Sequence, residues 1–120
     1  MQYMILIYVD PATYENVSEA EQQAEMAEYY ALGPSFRERG WQVTGEALHP
    51  VATATTVRQR DGQYLVTDGP FAETKEHLGG FYLVDCANLD EALEFARAVP
   101  DVRRGSIEVR PVMDFSSAPQ

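Results

Sequence analysis

The residues of this chain best suited to chemistry gather in one loop. The stretch LVTDGPFAETKEHLGG, residues 65–80, sets Asp68, Glu73, Lys75, Glu76 and His77 between two apolar runs, with Phe71 beside them. A carboxylate at Asp68 is a candidate general base, or a ligand for substrate hydroxyls. Lys75 can hold an anionic group, with Glu73 or Glu76 tuning it. His49, the other imidazole of the chain, stands before Pro50 at the end of a strand-like run. Either histidine can form a His–Asp couple with Asp68, although no motif spacing demands it. The same residues have a purely structural reading. Asp68 then caps a turn by accepting from amides two residues on, Gly69 takes angles closed to other residues, and Pro70 turns the chain away from helix. Phe71 drops back into the core, and the Glu/Lys cluster is a solvated ion-pair network. Residues 75–78 would then make one helical turn capped by Gly79-Gly80.

Other candidates are scattered. Tyr8, Tyr29, Tyr30 and Tyr82 are either pocket lining or packing. Arg110 alternates with Ile107, Val109 and Val112, so it points across a dimer interface or into a site. The candidate catalytic set is therefore Asp68, Lys75, Glu76 and His49, with Glu73, His77, Phe71, Tyr82 and Arg110 as substrate-binding candidates. No metal is expected, because there is no HExxH, Cys pair or EF-hand pattern. No cofactor is expected either, since no phosphate loop, nucleophile elbow or dinucleotide fingerprint occurs. Cys86, at the end of an apolar strand, reads as an inert core residue.

The elements that must position these groups follow from periodicity and punctuation. QYMILIYV (residues 2–9) is a buried central strand, ended by Asp10-Pro11. Ser18 and Glu21 form a capping box, and alanines at 20, 24, 27 and 31 make a small stripe on which the helix can lie close to a sheet. Gly33-Pro34 predicts that this helix runs from 18 to about 32, with a kink or restart at Pro34, Phe36 facing in, and Gly40 closing it. WQVTGEAL (41–48) is a strand with Gly45 as a bulge site. TATTVRQRDGQYLVTD (53–68) is a hairpin about Asp61-Gly62. GFYLVDC (80–86) is a strand, Asn88 and Glu91 cap a helix ending at Pro100, and SIEVRPVM (106–113) closes the sheet. The tail DFSSAPQ is expected to fray. The order β-α-β, hairpin, β-α-β predicts an α+β ferredoxin-like split βαβ domain with an inserted β-hairpin. Helices would cover one sheet face, and a homodimer stacked through the open face would cover the other.

Totals exclude several classes. The chain of 120 residues suits one domain, and its single cysteine cannot make an internal disulfide. Nine Lys and Arg against nineteen Asp and Glu give a net charge of −10, so direct nucleic-acid binding is excluded and cationic ligands would be steered inward. No leader pattern opens the sequence, and no apolar run approaches the roughly 20 residues that span a bilayer. A cytoplasmic protein without membrane partners is the expectation.

TDGPFAETKEHLGGFYLVD, preceded by GEALHPVATATTVR and followed by NLDEALEFA and GSIEVRPVMD, resembles the DGPF family of YCII-related domain proteins over residues 2–114. The resemblance implies a single YCII-related domain that dimerises as a dimeric α/β barrel. Smaller YCII relatives resemble enzymes with a His–Asp pair in a pocket, and one branch is associated with dechlorination of chlorinated hydroxyquinols. Asp68 matches the aspartate of the DGPF string, but no histidine lies in the first strand or helix, where those relatives place theirs. The helix interrupted here by Gly33-Pro34 is usually continuous in the family. Many DGPF proteins are similar to ones encoded beside, or fused to, extracytoplasmic-function sigma factors. Two functions are thus expected: a small-molecule-binding homodimer with cofactor-free acid/base activity at the DGPF loop, or a regulatory module with a sigma factor as partner.

Overall fold

The apolar alternation of the first strand decides which sheet face is covered. In the computed structural model of the chain, which describes residues 1–116, β1 (Gln2–Val9) buries Tyr3, Ile5 and Ile7 and leaves Met4, Leu6 and Tyr8 on the opposite face. β5 (His77–Asp85) and β6 (Ser106–Pro111) flank β1, and β2 (Gln42–Ala47) pairs with the far side of β5. The order is β2-β5-β1-β6, with every neighbouring pair antiparallel. α1 (Glu19–Arg37) joins β1 to β2 and α2 (Leu89–Ala98) joins β5 to β6, each connection skipping one strand. That is the α+β, ferredoxin-like order read from sequence.

Both helices pack on the face carrying Ile5 and Val84. Leu32 and Phe36 from α1 meet Ala92 and Phe95 from α2 in one core. The Phe95 ring lies 4.8 Å from Phe36 and 5.2 Å from Tyr82. Asn88 caps α2 through its side chain to the Glu91 amide (3.0 Å), while Glu91 reaches back to the Ala87 amide (2.8 Å). The Cys86 thiol is buried and free, and burial raises its pKa.

The inserted segment forms a separate sheet of β3 (Thr55–Arg60) and β4 (Gln63–Asp68). Asp61 and Gly62 take φ of 52° and 77°, the left-handed angles that a two-residue hairpin turn requires. Val57, Tyr64 and Val66 stay 62%, 73% and 66% exposed, so the hairpin stands off the body as an arm. The radius of gyration is accordingly 16.9 Å, against about 14 Å for a compact chain of this length.

Four local expectations give way to tertiary context. α1 is continuous through Gly33-Pro34, with Pro34 inside it. An internal proline costs about 3 kcal/mol, but burying Leu32 and Phe36 returns roughly 1.5–3 kcal/mol each, and the exposed Pro34 ring lies on the outer side. The alanine stripe at 20, 24, 27 and 31 is exposed, because the buried stripe of α1 runs through Tyr29, Leu32, Gly33 and Phe36 instead. Gly45 is in regular register opposite Tyr82, and the irregularity falls between Ile7 and Tyr8 where β1 meets β5. Gly45 serves close approach: a Cβ there would sit 2.5 Å from the Phe81 carbonyl oxygen. Residues 75–78 make no helical turn, since β5 already begins at His77. The expected frayed tail lies, for residues 117–120, outside the described residues. No helix among the described residues is long and apolar enough to cross a membrane.

Candidate functional site

A cleft opens where the middle of α1 passes over the ends of β1, β2 and β5. The strand ends lack bulk there: Gly45, Ala47, Gly79 and Gly80 line the cleft on the sheet side. Bulk could not be added at the centre, since a Cβ on Gly80 would lie 2.9 Å from the Glu46 carbonyl oxygen. Met26, Tyr29 and Tyr30 of α1 form the opposite wall, and the segment 48–52 closes an end. The cleft is open to solvent on one side and has a volume of about 780 Å³, within the range typical of small-molecule sites.

The helix is held over the cleft by polar contacts, because residues 19–24 bury nothing of their own. They converge on the turn Pro100–Arg103 that follows α2. Asp101, 8% exposed, accepts a short hydrogen bond from the Tyr14 hydroxyl on one carboxylate oxygen and from the Tyr29 hydroxyl on the other. Burial, reinforced by the bond to Asp101, raises both phenols far above the usual tyrosine range, so they remain donors. Next to this cluster Arg104 pairs with Glu25 and lies 4.8 Å over the Tyr14 ring, and one Arg103 amino nitrogen donates to both Glu28 carboxylate oxygens at 2.9 and 3.0 Å. The one adjacent arginine pair of the chain is thereby matched with acids of α1.

Tyr14, Tyr29, Tyr30, Tyr82 and Asp101 line the cleft together with His49 and His77. Burial raises the Tyr82 phenol as well. The His77 Nδ1 faces the Thr74 hydroxyl at 3.4 Å, and that hydroxyl donates to the Glu76 carbonyl at 2.7 Å. The lining is otherwise mostly apolar, which leaves a few phenols, two imidazoles and one buried carboxylate to orient a bound molecule. No group of three or more His, Cys, Asp or Glu among the described residues is placed to hold a metal ion.

The residues singled out from sequence divide between three places. His49, His77 and Tyr82 are brought together at the cleft. Asp68 ends β4, exposed and paired across the ladder with Thr55. The turn after it is closed by the Gly69 amide to the Ala54 carbonyl (2.7 Å) and the Thr56 hydroxyl to the Gly69 carbonyl (2.8 Å). Phe71 does not return to the core; it is 75% exposed, because the arm leaves no core beneath it, and its carbonyl accepts from Arg58. Glu73 and Lys75 are exposed, while Glu76 accepts from the Ser106 hydroxyl at 2.8 Å. Arg110 stands opposite Met4, on the open sheet face. Tyr8 is also on that face, across the sheet from Tyr29 and Tyr30.

Asp101, Tyr14 and Met26 were not visible as site residues. An aspartate after a proline reads as a turn residue, and its partners lie 87 and 72 positions away. The four tyrosines of the lining were the available hint, three of them already recognisable as candidates.

An antiparallel sheet covered by two helices on one face, with an aromatic cleft at its end, defines a small α+β domain of ferredoxin-like order. The model of the YCII-related domain matches residues 1–116, and the chain belongs to that family. It is similar to "Uncharacterized protein R00369" of Rhizobium meliloti (strain 1021), with 43% identity over 114 residues that cover 93% of this chain and 92% of that protein.

Proposed function

We propose that this protein is a homodimer that binds a small molecule in the α1–sheet cleft, with acid/base chemistry carried by its own side chains and without a cofactor. The observation that carries this reading is the cleft itself: about 780 Å³ of mainly apolar, aromatic lining with its polar groups confined to a few positions. His49 and His77 are the proton-transfer groups of the proposal. The Tyr14–Asp101–Tyr29 cluster is its fixed polar anchor. The rest of the DGPF loop supports the site from behind, through Thr74 and Glu76 to His77.

Support for the dimer comes from the surfaces left over. Met4, Leu6, Phe81 and Leu83 share the open sheet face by register, and the arm exposes Val57, Tyr64 and Val66. A lone two-stranded hairpin is marginal in water, so the arm, with Asp68 and Phe71 at its base, is assigned to a partner surface. Arg110 and Glu108 on the open face would cross that interface.

The test is a small-molecule screen followed by backbone amide resonances, with Gly45, Ala47, Gly79 and Gly80 as reporters inside the cleft. Hits that move these amides support the reading, and hits that move only other surfaces refute it. Light scattering reads the oligomer, and Phe81→Glu should give monomers if the open face is the interface.

The sigma-factor reading draws on a different feature, the net charge of −10 together with the uncovered arm. Trypsin separates the two. In a homodimer that covers the arm, cleavage after Arg58 and Arg60 is slow and depends on protein concentration; in a docking module awaiting another partner it is fast at every concentration.

A further inference from the structure

Resting on the cleft reading, we infer that the ligand it selects is an organic cation, an ammonium group carried on an apolar or aromatic body. The argument is the charge and surface chemistry of the lining. Asp101 is buried there and no Lys or Arg lines the cleft. Each Asp101 oxygen receives one phenol hydrogen, which leaves lone pairs on both for a further donor. An anionic ligand would lose its hydration against this carboxylate with no fixed positive charge in return.

Four tyrosines and Met26 share the lining with Glu46, the two imidazoles and small apolar residues. Aromatic faces attract a cation through their quadrupole, more strongly once water is excluded, and a thioether is polarizable enough to lie against the same group. The neighbouring contacts already follow this chemistry: the Arg104 guanidinium lies 4.8 Å over the Tyr14 ring and pairs with Glu25. That internal cation is paired with Glu25 and forms no ion pair with Asp101, although its field still reaches that carboxylate. The net charge of −10 adds a long-range term of the same sign, drawing cations toward the molecule.

Three ligands with one phenyl body and different charge make the test: phenethylammonium, phenethyl alcohol and phenylacetate. Each is titrated into the 120-residue protein at about 0.15 M salt, which screens surface charge, with the Gly45, Ala47, Gly79 and Gly80 amides followed by NMR. Phenethylammonium should bind at least about tenfold more tightly than the alcohol, and phenylacetate more weakly than either. Tyr30→Leu, at a residue 75% exposed, keeps the fold and should weaken the ammonium about threefold while leaving the alcohol nearly unchanged. Asp101→Asn should abolish the preference, and Tyr30→Leu keeps the test decisive should that variant fail to fold. If the alcohol or phenylacetate moves the cleft amides at equal or lower concentration than the ammonium, the cleft binds small molecules and the cation assignment is wrong. If the ammonium shifts only amides outside the cleft, the assignment is wrong as well. If none of the three moves the cleft amides, the cation assignment is wrong, and the broader screen decides the cleft reading separately.

Discussion

Alkaline pH should unfold this protein through the Tyr14–Asp101–Tyr29 cluster. Both phenols are held above the usual tyrosine range, first by burial and then by the bond to Asp101. In the unfolded chain a tyrosine titrates near about pH 10. Below that pH the phenols are neutral in both states, and the contribution of the cluster is fully present. Above it the unfolded state releases protons that the folded state keeps, so stability falls as pH climbs toward the raised folded values. A phenol that ionises only on unfolding contributes about 1.4 kcal/mol per pH unit. Tyr14 and Tyr29 are half-buried, so their joint slope, discounted for solvent screening, is about 1.5–2.7 kcal/mol per pH unit. Domains of this size have about 5–15 kcal/mol in total, so two pH units remove a large part of it. Urea unfolding followed by circular dichroism, at fixed protein concentration and at steps from about pH 8 to about pH 11.5, reads the slope directly. The Tyr14→Phe/Tyr29→Phe double variant should start lower, by about 1.5–3 kcal/mol for each lost charge-assisted bond. Its decline above about pH 10 should nevertheless be shallower, with Tyr82, Cys86 and the Met1 ammonium left to drive it. Equal alkaline slopes in the parent and the double variant would refute the reasoning.

Three further substitutions probe the fold. Phe95→Ala removes a ring with no exposure that contacts Phe36 and Tyr82, and calorimetry should show a loss of about 3–5 kcal/mol. Gly45→Ala forces a methyl to within 2.5 Å of the Phe81 carbonyl oxygen; the β2–β5 contact should shift at a cost of about 2–3 kcal/mol in urea unfolding, and no loss would mean that the two strands give way freely. Asn88→Ala deletes the 3.0 Å cap on the Glu91 amide, with an expected loss of about 1 kcal/mol, while Asn88→Asp should recover most of it.

Features set by neighbours along the chain were legible in the sequence. β1 spans the same residues in both readings, because its alternation is clean and Asp10-Pro11 stops it. The Asp61-Gly62 turn and the Asn88 cap are each specified within a few residues, and both formed as expected. Where long-range packing competes with a local rule, packing prevails. Pro34 signals a helix break, but Leu32 and Phe36 on the adjoining turns have a core to enter. Phe71 fails in the opposite sense, since an apolar residue goes inside only if its segment lies on something. The cleft was half legible. The tyrosines read equally as lining or packing and the loop around Asp68 reads as the centre, whereas the structure brings His49, His77 and Tyr82 to the cleft, and Asp101 joins them only where the N-terminal turn, α1 and the turn after α2 meet. Composition and periodicity carry no trace of that meeting.

The bare sheet side of the cleft has a consequence for how this architecture can diversify. Cβ atoms at Gly45 and Gly80 would press against backbone carbonyls, which cannot rotate aside. That half of the recess is set by the spacing of two hydrogen-bonded strands and is closed to single-step change. Met26 and Tyr30 face the same space from exposed helix positions, where exchange of a side chain disturbs little else. Changes in the shape and chemistry of the recess should therefore arise on the helix, one residue at a time, while the glycines keep the space open.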